Sequence, residues 1–244
     1  MGFLTEMSKR GHDRISGVLP PVAKRRLTLA DDGVQAARPT SDPSRAASPP
    51  TDAAAVAIAD PAPLGLAGFA LTTFVLSMFN SGLVDKKGLP VVLGLALAYG
   101  GGAQLLAGMW EFRKGNTFGA TAFSSYGAFW ISYWAYVTFF AKDVPAANAG
   151  SAVGLFLIGW GVFTAYMWIA SFRTTAAVNL VFLLLAITFL LLGIGEAAGS
   201  SGVGKLGGWF GLATAVAAWY ASFAGVTNFT FGREIVPVRQ LRRA

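Results

Sequence analysis

The sequence predicts an all-α membrane protein: a six-transmembrane-helix bundle behind a disordered N-terminal tail. Three observations carry that reading. The 244 residues are 54% hydrophobic and only 13% charged, whereas soluble domains carry about 25% charged residues. After Asp60 the chain divides into six long windows free of Asp, Glu, Lys and Arg. Charge is concentrated in the tail and in the short connections between windows. Cysteine is absent and the single histidine, His12, lies in the tail. This removes disulfides, thiolate nucleophiles, Cys or His metal sites and an imidazole shuttle from the core. No cofactor, no metal and no enzymatic activity are expected.

Residues 1–59 form the first unit. Eight of the eleven prolines precede Leu64, alongside Lys9, Arg10, Arg14, Lys24, Arg25, Arg26, Arg38 and Arg45. No apolar run long enough for a secretory signal is present there. Residues 36–55 are dominated by Ala, Pro, Ser and Thr, too little apolar surface to offset the entropy of ordering. A basic, disordered cytoplasmic tail touching anionic lipid headgroups is expected. Without a compact reading motif, nucleic acid is not an expected partner.

The six windows are Leu64–Val84, Leu89–Trp110, Phe118–Phe140, Ala152–Phe172, Ala176–Ile194 and Leu206–Phe229. At ~1.5 Å rise per residue each spans about 28–36 Å, which matches a hydrocarbon core of roughly 30 Å. With six spans both termini lie on one side. Fifteen Lys and Arg fall on that side and four on the other: Lys86, Lys87, Lys142 and Lys205. Positive charge collects on the cytoplasmic side, so a multi-pass plasma (inner) membrane protein with both termini in the cytoplasm is expected. Residues 60–237 make the membrane domain and 238–244 a basic C-terminal tail.

The windows are informative where their apolar pattern breaks. Glycines recur in the second (Gly94, Gly100, Gly101, Gly102), the fourth (Gly154, Gly159, Gly161) and the sixth (Gly204, Gly208). Small faces let helix backbones approach closely, within one chain or between copies. Asn80, Gln104 and Asn179 are costly to leave unpaired in hydrocarbon. They serve either as interhelical glue or as the lining of a polar path. With no charge deep in any window, a small neutral or singly charged solute suits this lining. Asp60-Pro61 reads as an N-cap and first helical residue, and the helix N-terminus behind it is a favourable place for a carboxylate.

Asp60-Pro-Ala-Pro-Leu-Gly-Leu-Ala-Gly-Phe69 resembles the Asn-Pro-Ala-Pro-Leu-Gly-Leu-x-Gly-Phe signature of the acetate uptake transporter family, GPR1/FUN34/YaaH. Further stretches are similar to the same family: Tyr99-Gly-Gly-Gly-Ala-Gln104, Glu111-Phe-Arg-Lys-Gly-Asn-Thr-Phe-Gly119, Thr121–Trp130, Gly159–Thr164 and Phe231–Pro237. The resemblance implies a homohexamer of six-helix permeases for acetate and similar small carboxylates. It leaves open whether succinate is carried and whether transport is passive or proton-coupled. It also implies a pore constriction at Phe69, Tyr126 and Leu185. These fall 5, 8 and 9 residues into windows one, three and five, about 8, 12 and 14 Å deep.

Leu64, Gly65, Asn80, Gln104 and Asn179 are candidate substrate-pathway residues, with acetate resting near the start of helix one. The Tyr126 hydroxyl is a candidate donor to it. Glu111 is the candidate for proton coupling, against the heavier reading of a surface ion pair with Arg113 or Lys114. Glu196 carries the same ambiguity. Asp60 stands where the family usually has Asn, and a fixed carboxylate there would repel an incoming anion. Two other functions compete: a channel exporting ammonia or a small neutral solute, and a membrane sensor whose tail recruits a cytoplasmic partner.

Overall fold

The structure is a computed structural model that describes residues 58–241. The tail expected over residues 1–59 lies outside the described residues except for its last two.

Within the described part the chain is helical throughout. The helices are α1 (Ala62–Asn80), α2 (Val91–Leu97), α3 (Gln104–Lys114), α4 (Thr117–Ala135), α5 (Ala146–Ser171), α6 (Ala176–Ala197) and α7 (Ser201–Phe231). A wide π-type segment, Ala98–Ala103, joins α2 to α3 in one crossing, and a second, Tyr136–Phe140, extends α4. The six expected windows therefore appear as six helical crossings. Α-helices satisfy their own backbone polar groups, which hydrocarbon cannot do. Five of the crossings are long and apolar enough to span a membrane. The crossing of α4 is not in that set, because Ser124, Ser125, Tyr126, Ser132 and Tyr133 interrupt it.

Helix ends follow local chemistry. The Asp60 carboxylate accepts from the Ala62 amide at 3.0 Å, so it caps α1 although the helix begins one residue later than expected, with Pro61 in the cap position. Asn116 caps α4 through the Gly119 amide at 3.1 Å. Thr175 caps α6 through Val178 at 3.2 Å. Gly115 (φ 80°) and Gly232 (φ 64°) close α3 and α7 in the left-handed conformation that glycine adopts without strain.

The crossings alternate in direction. Asp60, Lys114, Asn116, Thr175 and Pro237 thus gather at one end of the bundle, hereafter the Asp60 end. Lys86, Glu196 and Lys205 gather at the other, the Lys86 end. The C-terminal segment is tied to the Asp60 end: the Ala176 amide donates to the Arg239 carbonyl at 2.8 Å and the Leu241 amide to Thr174 at 3.2 Å. Asn228 accepts from the amides of Ile235 and Val236.

Small residues set the helix spacing. A Cβ on Gly68 would lie 2.6 Å from the Tyr99 carbonyl oxygen, and one on Gly108 2.5 Å from the Ser124 amide nitrogen. The outward faces carry large apolar side chains, among them Leu155, Ile169 and Phe229 at 74%, 67% and 79% exposure. A surface this greasy suits lipid rather than water.

Candidate functional site

Α1, α4 and α6 all run from the Asp60 end to the Lys86 end, and each carries one residue of the expected ring. Phe69, Tyr126 and Leu185 lie 7, 9 and 9 residues past their helix starts. At ~1.5 Å per residue that is about 11, 14 and 14 Å, a tighter level than the sequence windows gave. All three are buried, at 4%, 3% and 3% exposure, in one cluster. The Phe69 and Tyr126 ring centroids are 5.8 Å apart.

Their direction follows from helical periodicity. Residues seven apart share a helix face. Seven residues beyond the ring stand Leu76, Tyr133 and Leu192, and all three line one cavity of about 370 Å³ at the Lys86 end. Asn80, Lys86, Tyr136 and Glu196 also line it. The ring and the cavity wall are therefore successive levels of the same three stripes, and the ring faces inward. A larger groove of about 770 Å³ lies along α6 and α7 beside Pro237–Arg239 and involves none of these residues.

Tyr126 is held from several sides. Its ring meets Phe163 edge-on at 5.4 Å and lies 6.1 Å from both Trp160 and Phe182. Such aromatic pairs contribute about 0.5–1.5 kcal/mol each beyond burial. Its hydroxyl is 3.0 Å from Thr164 Oγ1. The Thr164 hydroxyl has one proton, which it donates to the Trp160 carbonyl at 2.7 Å. Tyr126 is therefore the donor to Thr164. A carboxylate taking that proton would have to displace Thr164, so the expected hydroxyl-to-substrate bond is not made in this arrangement. Thr164 belongs to a stretch singled out in the sequence, yet nothing there marks it as the partner of a residue 38 positions away.

The remaining candidates separate into three groups. Asn80 opens onto the cavity at the Lys86 end. Gln104 is 1% exposed and its side-chain oxygen has no hydrogen-bond partner. Asn179 is glue: its amide donates to Ser171 Oγ at 2.7 Å, tying α6 to the end of α5. Gly65 packs under Phe123, where a Cβ would sit 2.6 Å from the ring, and Leu64 is 46% exposed. Gly65 therefore sits one turn before Phe69 on the same stripe, on the Asp60 side of the ring, whereas Leu64 faces away from it.

Glu111 corrects the surface ion-pair reading. It is fully buried, and both carboxylate oxygens lack a hydrogen-bond partner. Lys114 instead meets Asp60 at 2.8 Å, a partly exposed pair of the kind that contributes about 1 kcal/mol or less. That pair also resolves the unusual Asp60. Its carboxylate is committed to the α1 cap and to Lys114, which offsets its charge at this end of the bundle.

Among the described residues no cluster of metal-ligating side chains is present. The apolar side chains of the three stripes exclude water along the axis between α1, α4 and α6.

Comparison with known proteins bears on that axis. The model of the GPR1/FUN34/yaaH family matches residues 44–241. Acetate permease A of Emericella nidulans is 48% identical over 195 residues, covering 74% of this chain and 65% of that protein. The succinate-acetate/proton symporter SatP of Escherichia coli K12 is 39% identical over 181 residues, 74% of this chain and 95% of that one. A solved structure of the bacterial acetate channel SatP superimposes with a TM-score of 0.70 at 38% identity, covering 75% of this chain and 99% of that chain.

Thr164→Val should orphan the buried Tyr126 hydroxyl and lower unfolding stability in mild detergent by about 1–3 kcal/mol. Thr164→Ser should retain it, and adding Tyr126→Phe to Thr164→Val should recover part of the loss. Equal stability of Thr164→Val and the parent protein would remove the pair from the account.

Proposed function

The chain belongs to the GPR1/FUN34/yaaH family, and from that membership we propose that it is a membrane permease for acetate and similar small carboxylates, succinate among the candidates. The observation that carries the proposal is the inward-facing level of Phe69, Tyr126 and Leu185 below a polar-rimmed cavity. A hydrophobic neck stops ions by dewetting, and a small solute crosses it when polar atoms on either side replace part of its hydration. Lys86 at the cavity wall attracts an anion there, and Glu196 on the same wall opposes it. Acetate then passes the ring with its methyl group against Phe69 and Leu185.

Residues 60–237 are the transport domain, both termini face the cytoplasm, and six copies assemble, each with its own route. The alternation of basic residues along the crossings supports that orientation. The tail of residues 1–59 contacts anionic headgroups and is not needed for transport. Glu111 is the proton-coupling candidate. It is a buried carboxyl without a partner beside the Asp60–Lys114 pair, so opening of that mouth changes its surroundings and its proton occupancy together.

Radiolabelled acetate flux into vesicles containing the purified protein tests this reading. Phe69→Ala should widen the neck and admit lactate while acetate still moves. An unchanged substrate range would count against the ring, and movement of methylammonium without acetate would favour the ammonia reading instead. In the same vesicles at two pH values, Glu111→Gln should flatten the pH dependence of uptake. A pH profile identical to that of the parent protein would remove Glu111 from the coupling.

A further inference from the structure

Between the ring and the cavity at the Lys86 end lies one more level of the three stripes. Four residues beyond Phe69 is Thr73, three beyond Tyr126 is Phe129, and four beyond Leu185 is Phe189. At ~1.5 Å per residue these stand about 5–6 Å further along the axis, halfway to Leu76, Tyr133 and Leu192. All three are buried, at 6%, 5% and 4% exposure.

Phe129 is the pivot of this level. Its ring meets Phe189 edge-on at 5.2 Å, stacks on Phe156 at 5.6 Å and meets Trp160 at 5.2 Å. Phe129 and Phe156 both line the 370 Å³ cavity, whereas Phe69, Tyr126 and Leu185 do not. Of this level Phe129 alone reaches the cavity; Thr73 and Phe189 do not line it. A solute arriving from the Lys86 end meets Phe129 before it meets the ring.

Thr73 supplies the second observation. Thr72, Thr164, Thr188 and Thr214 each turn their hydroxyl back to the carbonyl four residues earlier, at 2.7–2.8 Å. Threonines in membrane helices commonly satisfy themselves this way. Thr73 does not: its hydroxyl is buried and has no partner. That leaves a buried donor unspent, which a passing polar group would take up.

We infer that Phe129 and Phe189 form a second constriction, one helical turn beyond the Phe69–Tyr126–Leu185 ring, and that the two levels enclose a short chamber holding the Thr73 hydroxyl. Access to the ring from the Lys86 end is then controlled by Phe129 and Phe189, and a solute between the two levels has one polar contact to replace lost water. The inference rests on the ring reading given above for Phe69.

The absence of cysteine permits a direct test by thiol accessibility, independent of any substrate. The full chain is purified in detergent, where a small charged methanethiosulfonate reaches both ends of the bundle. Leu76→Cys, on the cavity wall, should react in every background and confirms folding of each variant. Thr73→Cys should be protected in the otherwise unaltered protein. Adding Phe129→Ala or Phe189→Ala should raise its modification rate at least tenfold by opening the Lys86 side. Adding Phe69→Ala should raise it from the Asp60 side. Thr73→Cys that reacts as fast as Leu76→Cys with both phenylalanines intact, or that stays protected after both Phe129→Ala and Phe189→Ala, would overturn the second constriction. Protection that persists only after Phe69→Ala would instead count against the ring.

Discussion

A helix repeats its face every seven residues, and that periodicity fixes what a solute can meet between helices. Because α1, α4 and α6 run the same way, their stripes stack level upon level: Phe69, Tyr126 and Leu185, then Thr73, Phe129 and Phe189, then Leu76, Tyr133 and Leu192. Backbone groups are consumed within the helices, so only side chains can close or open the axis between them. These levels consist mostly of large, buried apolar groups. An ion passing them loses hydration that apolar groups cannot replace, and acetate, an ion itself, depends on polar groups on either side of them.

The ring owes its shape to contacts outside it. Trp160, Phe163 and Thr164 on α5 and Phe182 on α6 surround Tyr126. The Tyr126→Thr164→Trp160 chain of hydrogen bonds ends on a backbone carbonyl and leaves no donor spare. Tyr126 is therefore best described as a fixed wall. Close glycine contacts bring α1 against the π-type turn of the second crossing at Gly68–Tyr99 and α4 against α3 at Gly108–Ser124. Larger residues there would spread the stripes apart and lose the level alignment. The buried Glu111 sits at the end of this assembly, against Gly119 of α4, where a Cβ would approach its carboxyl carbon to 2.9 Å.

The crossings were legible in the sequence because hydrocarbon leaves few ways to arrange uncharged windows of this length, and the helices match those windows to within a few residues at most ends. The levels of Phe69, Tyr126 and Leu185 were legible from the resemblance and from residue counting. Three things were not. The sequence placed Glu111 beside two basic residues, but the turn at Gly115 sends Lys114 to Asp60 and leaves Glu111 inside. Asn179 read equally well as lining or as glue, and only the position of Ser171 at the end of α5 decides. The Phe129–Phe189 level and the unpartnered Thr73 were hidden because Phe and Thr are ordinary in a membrane helix, and their meaning depends on which face they share.

The most direct test of the stacked-stripe account is chemical block of flux at one level. Leu192 lines the cavity, and Ile194, two residues on, points the other way and is 50% exposed. With Leu192→Cys in vesicles, attachment of a bulky thiol reagent should stop most labelled-acetate flux, while the same modification of Ile194→Cys should leave flux near that of the unmodified protein. Flux that survives modification at Leu192, or is lost equally at Ile194, would contradict a route between α1, α4 and α6.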